Sequence, residues 1–363
     1  MSIRNLVLGP VVTGDAVEFS LADNSGVVQA VQLLQEIQRP RAGPHFQRVE
    51  GGWALRFPRP DVDRMEYRFE LQHPDGGWEG ITDPDNPLRA PGPFGERSVV
   101  EFPHYVAPSW LKASPPPGET LHFRLPSPSL GGSLPLRLWT SPGSEPEDAL
   151  PLLVAHDGLE LDQYGGLSHF LAAMVDQGRL PPHRVALLGP HDRDQSYSAA
   201  PTYVQALARD VLPVLAWLAP SPSGHRPIGL GASLGGLALL HAHRSAPQMF
   251  SGLYLQSASC FRRADRHETG FARYRRISRF VEEVLGATAP PRSQRVPVAM
   301  TCGTVEENLP NNRAVATALA RQGYDITLHV NRDAHNWSAW RDTWDPHLTD
   351  LLARCWSVAE RDA

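Results

Sequence analysis

From residue 11 to about residue 108, short apolar runs alternate with polar positions, and turn residues separate the runs. The pattern predicts strands over 11–12, 16–21, 27–34, 53–57 and 66–71. Gly14-Asp15, Asp23-Asn24-Ser25-Gly26, Gly51-Gly52 and Asp75-Gly76-Gly77 fall between them as turns. Short strands at about ten-residue spacing, punctuated in this way, predict an antiparallel sandwich. No helical period appears in this region. Residues 109–118 close on Pro115-Pro116-Pro117-Gly118, which suits neither strand nor helix, and read as a linker.

From Glu119 onward the texture changes. Residues 121–125 and 134–140 predict an antiparallel pair, and Leu150-Pro151-Leu152-Leu153-Val154-Ala155 is continuously apolar, as a strand covered on both faces should be. Further strands are predicted over 184–188, 228–230, 252–256, 296–302 and 325–330. Between them lie helical patterns over 167–177, 203–218, 311–322 and 340–359, and one that opens after Gly236 and runs through Ala246. Strands alternating with helices predict an α/β fold with a mostly parallel sheet. The expected organisation is a β-sandwich over 1–108, a proline-rich linker over 109–118 and an α/β catalytic domain over 119–363.

Composition narrows the function. A chain of 363 residues with 41% apolar positions can bury two cores. No stretch reaches the roughly 18–20 uninterrupted apolar residues of a membrane helix, so no membrane partner is expected. Met1-Ser2-Ile3-Arg4-Asn5-Leu6 lacks a basic cluster followed by an apolar run, so export by a standard signal is not expected. Cys260, Cys302 and Cys355 cannot all pair and show no ligand spacing, which fits reduced thiols in a cytoplasm. A net charge of −5 with both signs dispersed offers no basic surface to nucleic acid. No metal-ligand cluster or cofactor motif is visible, so neither a metal nor a cofactor is expected, and the expected partner is a small molecule.

The candidate chemistry lies in Gly229-Leu230-Gly231-Ala232-Ser233-Leu234-Gly235-Gly236, which contains G-x-S-x-G. The bare match is weak, but it follows a short apolar strand and opens an apolar helix, the strand–turn–helix setting of a nucleophile elbow. The glycines two residues either side of Ser233 let a strained, sharp turn form without clashes. A serine nucleophile needs a base, and the base needs an orienting acid. The strand over 296–302 runs into Gly303-Thr304-Val305-Glu306-Glu307, and the strand over 325–330 runs into Asn331-Arg332-Asp333-Ala334-His335-Asn336-Trp337. Ser233, Glu306 and His335 thus follow in chain order after successive strands, with Glu307 as an alternative acid and an acid-free serine–histidine dyad as a further one. The oxyanion hole is expected to use the Leu234 amide with that of Gly158 or Leu159, just past the strand ending at Ala155.

These residues also carry a resemblance. Gly231-Ala232-Ser233-Leu234-Gly235-Gly236-Leu237-Ala238, then Pro247, Phe250 and Leu255-Gln256-Ser257-Ala258-Ser259, resemble the nucleophile region of the putative-esterase family. Val154-Ala155-His156-Asp157-Gly158, Gly178-Arg179-Leu180-Pro181-Pro182 and His335-Asn336-Trp337-Ser338-Ala339-Trp340-Arg341 resemble its enterochelin (ferric enterobactin) esterase branch. Tyr67-Arg68-Phe69 and Asp83-Pro84-Asp85-Asn86-Pro87 resemble that branch's immunoglobulin-like N-terminal domain. The resemblance implies an α/β-hydrolase fold preceded by such a domain, and a serine carboxylic-ester hydrolase. Arg193 matches the branch's pattern, whereas Ser196, Ala200 and Asn336 depart from it by replacing a glutamate, an asparagine and an aspartate.

Three readings remain at this stage: an ester hydrolase, an acyltransferase or peptidase using the same triad, and a glycan-binding protein with a relic hydrolase domain. Between Arg262 and Arg279, seven arginines stand against two acids, which suits an anionic or siderophore-like ester. Arg193, Arg262, Arg263 and Trp337 are therefore candidates for substrate contact. The N-terminal domain is expected to shape the pocket and to perform no chemistry.

Overall fold

A computed structural model of the chain describes residues 9–39, 41–265 and 269–359. It contains two compact units that are not sequential. The first comprises the chain through Val106 together with Gly303–Glu307 and Asn331–Ala339, and the second the remaining segments, Ala107–Cys302, Asn308–Val330 and Trp340 onward.

The first unit is built on two antiparallel sheets. One orders its strands Val11–Val12, Ala16–Ala22, Gly52–Pro58, Gln47–Val49. The other orders Ala30–Gln35, Arg64–Gln72, Arg97–Glu101, Arg89–Ala90, with Trp78–Ile81 also paired to Arg64–Gln72. The period of two sends Val17, Phe19 and Leu21 of one sheet and Tyr67, Phe69 and Leu71 of the other into a shared core. There the Phe19 ring lies 4.8 Å from that of Tyr67 and 6.3 Å from that of Phe69. Asp83 and Asn86 are consumed inside the sandwich: the Tyr67 hydroxyl donates to Asp83 at 2.6 Å, and the Asn86 amide donates to the Val99 carbonyl at 2.7 Å.

The sequence pattern missed four strands here. Gln47–Val49 and most of Trp78–Ile81 are exposed and carry no alternation, while Arg89–Ala90 is only two residues long. Arg97–Glu101 buries the adjacent Val99 and Val100 and so shows no period of two.

The second unit holds an eight-stranded sheet in the order Glu119–Ser127, Gly132–Thr140, Arg184–Leu188, Leu152–His156, Ile228–Ala232, Gly252–Gln256, Val298–Gly303, Ile326–Asn331. Gly132–Thr140 is antiparallel to both Glu119–Ser127 and Arg184–Leu188, and the strands from Arg184–Leu188 through Val298–Gly303 are parallel. Hydrogen bonds of 2.8 Å from Val298 N–H to the Asp325 carbonyl and from Thr304 N–H to the Asn331 carbonyl show that the last strand runs the same way. Every residue of Leu152–His156, Arg184–Leu188, Ile228–Ala232 and Gly252–Gln256 is buried, as the continuous apolar runs predicted. The fold is an α/β hydrolase preceded by an all-β sandwich.

Two helix expectations are corrected by proline. The helix expected over 203–218 starts at Pro201 and passes through a π-turn at Leu207–Val211, because Pro213 has no N–H for the regular ladder. The helix expected over 340–359 is broken at Asp345-Pro346 into Trp337–Arg341, a turn at Trp344–Leu348 and Thr349–Ala359. Within the expected linker, Ser109–Lys112 forms a 3₁₀ turn. Its Trp110 is buried against Trp344 and Phe170, at ring separations of 6.0 and 5.1 Å.

Candidate active site

Strand Ile228–Ala232 ends at Ser233, whose backbone sits at φ 55° and ψ −123°. That conformation is strained for any residue but glycine, and persists only where the surroundings fix it. Here they do. Ser233 N–H donates to the Gln256 carbonyl at 2.8 Å, and its own carbonyl accepts from Ser259 at 3.1 Å and Leu237 at 3.2 Å. A Cβ on Gly231 would lie 2.6 Å from the carbonyl carbon of Gly235, and one on Gly236 would lie 2.9 Å from the Gly231 oxygen. These glycines let strand and helix close on each other, leaving Ser233 half-buried at the head of helix Leu234–Ser245. Its Oγ lies 3.2 Å from that of Ser259.

Leu234 opens this helix, while Gly158 and Leu159 open Gly158–Gly165 after the neighbouring parallel strand Leu152–His156. First-turn amides have no partner within their own helix, so the N–H groups of these three residues are not consumed by the helices they open. The two turns are tied together by a 3.2 Å contact between His156 Nδ1 and the Gly235 carbonyl, and Tyr203 reaches His156 Nε2 at 3.1 Å. Burial lowers the His156 pKa to about 4, so the ring is neutral at pH 7. Gly158 is pressed so closely on the sheet that a Cβ would meet Leu187 Cα at 2.5 Å.

The preceding residue, Asp157, has φ 49° and a buried carboxylate that Arg193 grips through Nε at 3.0 Å to each oxygen and through a terminal nitrogen at 2.7 Å. Arg193, a sequence candidate for substrate contact, is therefore engaged in fixing the Asp157–Gly158 turn.

The acid and base candidates lie in the two late segments of the first unit. His335 Nδ1 is 2.8 Å from Glu306 Oε2, and Glu306 Oε1 accepts the Gly303 N–H at 2.7 Å. Glu306 is 3% exposed. Glu307 instead forms an ion pair with Arg41. At the departure Asn336, Oδ1 accepts the Ala339 N–H at 2.8 Å and caps helix Trp337–Arg341, where Trp337 is half-buried. Ser196 and Ala200 are both buried, at 2% and 1% exposure.

The arginine-rich segment disperses. Arg262 lines an open groove of about 470 Å³ with Leu285, Pro310, Arg313 and Arg321. Arg263 is exposed, and Arg276 donates at 2.6 Å to the Ser198 and Gln195 carbonyls. Arg266 lies outside the described residues.

Sequence reasoning assigned no role to Ser259, His156 or Tyr203. Ser259 and His156 each lie in a stretch that resembles the esterase family, and neither stretch singles them out. Nothing local marks a buried histidine that ties two turns together.

The putative esterase family matches residues 127–351. Among solved structures, the enterobactin esterase of Shigella flexneri, in the presence of enterobactin, is similar at 20% identity over 97% of each chain, with a TM-score of 0.76. The ferric enterobactin esterase of Salmonella typhimurium is similar at 20% identity over 95% of this chain and 94% of its own, at 0.74. A ferulic acid esterase is similar at 17% identity over 66% of this chain and 98% of its own, at 0.54. No curated protein matches in sequence. With its match spanning more than half of the length, this chain belongs to the putative esterase family and is an ester hydrolase.

Proposed function

We propose that the protein is a serine carboxylic-ester hydrolase working through an acyl-enzyme. Ser233 Oγ attacks the ester carbonyl while His335 takes its proton, and the tetrahedral oxyanion is held by the Leu234 amide with that of Gly158 or Leu159. Collapse expels the alcohol, protonated by His335, and leaves the acyl group on Ser233. Water, deprotonated by His335, then releases the acid. Glu306 holds the imidazole by Nδ1 and stabilises its charged form.

The observation that carries this reading is the 2.8 Å His335–Glu306 pair. It follows two strands of the same sheet whose strand Ile228–Ala232 ends at the strained Ser233. The absence of disulfides among Cys260, Cys302 and Cys355 supports a reducing, cytoplasmic setting.

For the substrate we favour an anionic aryl or siderophore-like ester. The enterobactin esterase structures and the exposed arginines of the 262–279 segment support it. The test is stoichiometric labelling by a fluorophosphonate, located by peptide mass spectrometry, with turnover of enterobactin and of feruloyl esters measured beside it. Labelling at Ser233 with loss of turnover supports the mechanism, and an unlabelled Ser233 in active enzyme overturns it.

A further inference from the structure

We infer that the N-terminal β-sandwich is a working part of the catalytic apparatus: its Asp61-Val62-Asp63 turn clamps the segments that carry Glu306 and His335, with Arg332 as the positioning residue. The inference rests on the assignment of those two residues as acid and base. It gives the sandwich a task other than shaping a pocket.

The observations all lie within the first unit. Gly303–Glu307 and Asn331–Ala339 are grouped with the sandwich, although the strands they extend belong to the eight-stranded sheet. Val305 and Ala334, the residues immediately before Glu306 and His335, are 1% and 3% exposed and belong to the sandwich core with Val62, Met65 and Phe102. Hydrogen bonds reinforce this packing on both segments. Gln38 N–H donates to the Val305 carbonyl at 3.1 Å, and the Thr304 hydroxyl donates to the Asp61 carbonyl at 3.0 Å. Asp63 N–H donates to the Arg332 carbonyl at 2.7 Å. The Arg332 guanidinium returns to the same turn, binding Asp63 through Nε at 2.9 Å and pairing with Asp61.

The two segments are also locked to each other. Thr304 N–H reaches the Asn331 carbonyl at 2.8 Å, and a Cβ on Gly303 would lie 2.2 Å from the Asp333 oxygen. Beneath them, the buried Arg64 pairs with Glu66 at 2.7 Å and places its charge beside the buried Asp333. A catalytic pair depends on placement, and a displacement of about 1 Å far from the reacting atoms can cost about a hundredfold in rate. A sandwich that fixes the residues flanking both Glu306 and His335 therefore controls kcat, whatever the size of the ester.

The test uses the full chain and a small activated ester, p-nitrophenyl acetate. The variants are R332Q, the sandwich-side pair D61N with D63N, all three changes together, and R332K. Asp61 and Arg332 are well exposed, so their loss should leave melting temperatures close to wild type. The expected result is a fall of about tenfold in kcat for R332Q and for D61N/D63N, with KM within twofold. The combined variant should be hardly worse than R332Q, and R332K should recover most of the rate. A kcat loss under threefold in both variants overturns the inference, as does a loss carried by KM. Glu306→Gln and His335→Ala measured in parallel separate the two claims. If both lose nearly all turnover, the outcome judges the clamp alone; if either keeps full turnover, the acid–base assignment fails and the clamp with it.

Discussion

The carboxylate of Glu306 is shared between the His335 imidazole, 2.8 Å from Oε2, and the Gly303 amide, 2.7 Å from Oε1. Gly303 thereby fixes the rotation of the carboxylate, and the carboxylate fixes the imidazole. Its neighbour Glu307 is spent on Arg41. Glu306→Gln can offer its amide nitrogen to Nδ1 and so favours the wrong tautomer. It should lower kcat by about 10³–10⁴, as in the comparable change of a serine protease triad. Glu307→Gln should cost at most about threefold. Steady-state kinetics on p-nitrophenyl acetate decide it, and the reverse order would hand the role to Glu307.

Ser233→Ala and His335→Ala should each remove nearly all turnover, by several orders of magnitude in kcat. On the proposed mechanism the residues act as one unit, so the double variant should be hardly worse than either single one. Losses that add on a logarithmic scale would show that the two do not share a step.

The Arg193–Asp157 pair holds the turn that presents Gly158. Arg193→Met leaves a carboxylate that is only 3% exposed without its partner. Losing one member of a fully buried pair costs about 3–5 kcal/mol. Since the Arg193 side chain is 39% exposed, the expected loss is nearer 2 kcal/mol, read from urea denaturation. The kcat should fall too, because the proposed oxyanion donor loses its support. R193M combined with D157N should recover stability, and no recovery would mean that the pair does not act through its charge.

Burial lowers the pKa of His156, His183, His241 and His243 to about 4 each. In the unfolded chain such groups titrate near 6.5, so between the two values the unfolded state binds more protons. Their contribution to stability is full above about pH 6.5 and is lost as pH falls toward 4. Urea midpoints should therefore drop between pH 7 and 5. His183→Asn retains a donor for the Pro181 carbonyl, which accepts from Nδ1 at 2.8 Å, and should flatten the slope. An unchanged slope in that variant would remove His183 from the account.

An anionic ester should lose kcat/KM as ionic strength rises, because the Debye length shrinks to about 8 Å at 0.15 M salt. A neutral ester should barely respond. Arg263, Arg273, Arg275 and Arg279 are exposed and form no ion pair among the described residues, so the field they produce is screened. Replacing Arg262 and Arg263 by glutamine should reproduce the salt effect at low ionic strength. Equal responses of both esters would make the segment ordinary surface.

Local pattern by itself determined the layered elements and the residues to suspect. Strand Arg184–Leu188 and the turn from Ile228–Ala232 through Ser233 into Leu234–Ser245 are legible because their buried faces and glycine requirements involve near neighbours in the chain. Tertiary structure decided the partners. Two adjacent carboxylates look alike in sequence, and Glu306 differs from Glu307 only through the hook to Gly303 and the distant Arg41. Arg193 is a free cation on paper and a bound one in the fold, because its partner lies 36 residues away beside another strand. The burial of Val305 and Ala334 in a core made by residues 17–102 leaves no periodic trace at all. A single apolar side chain inside a polar loop carries no repeat, and its value depends entirely on a surface that exists only once the chain has folded.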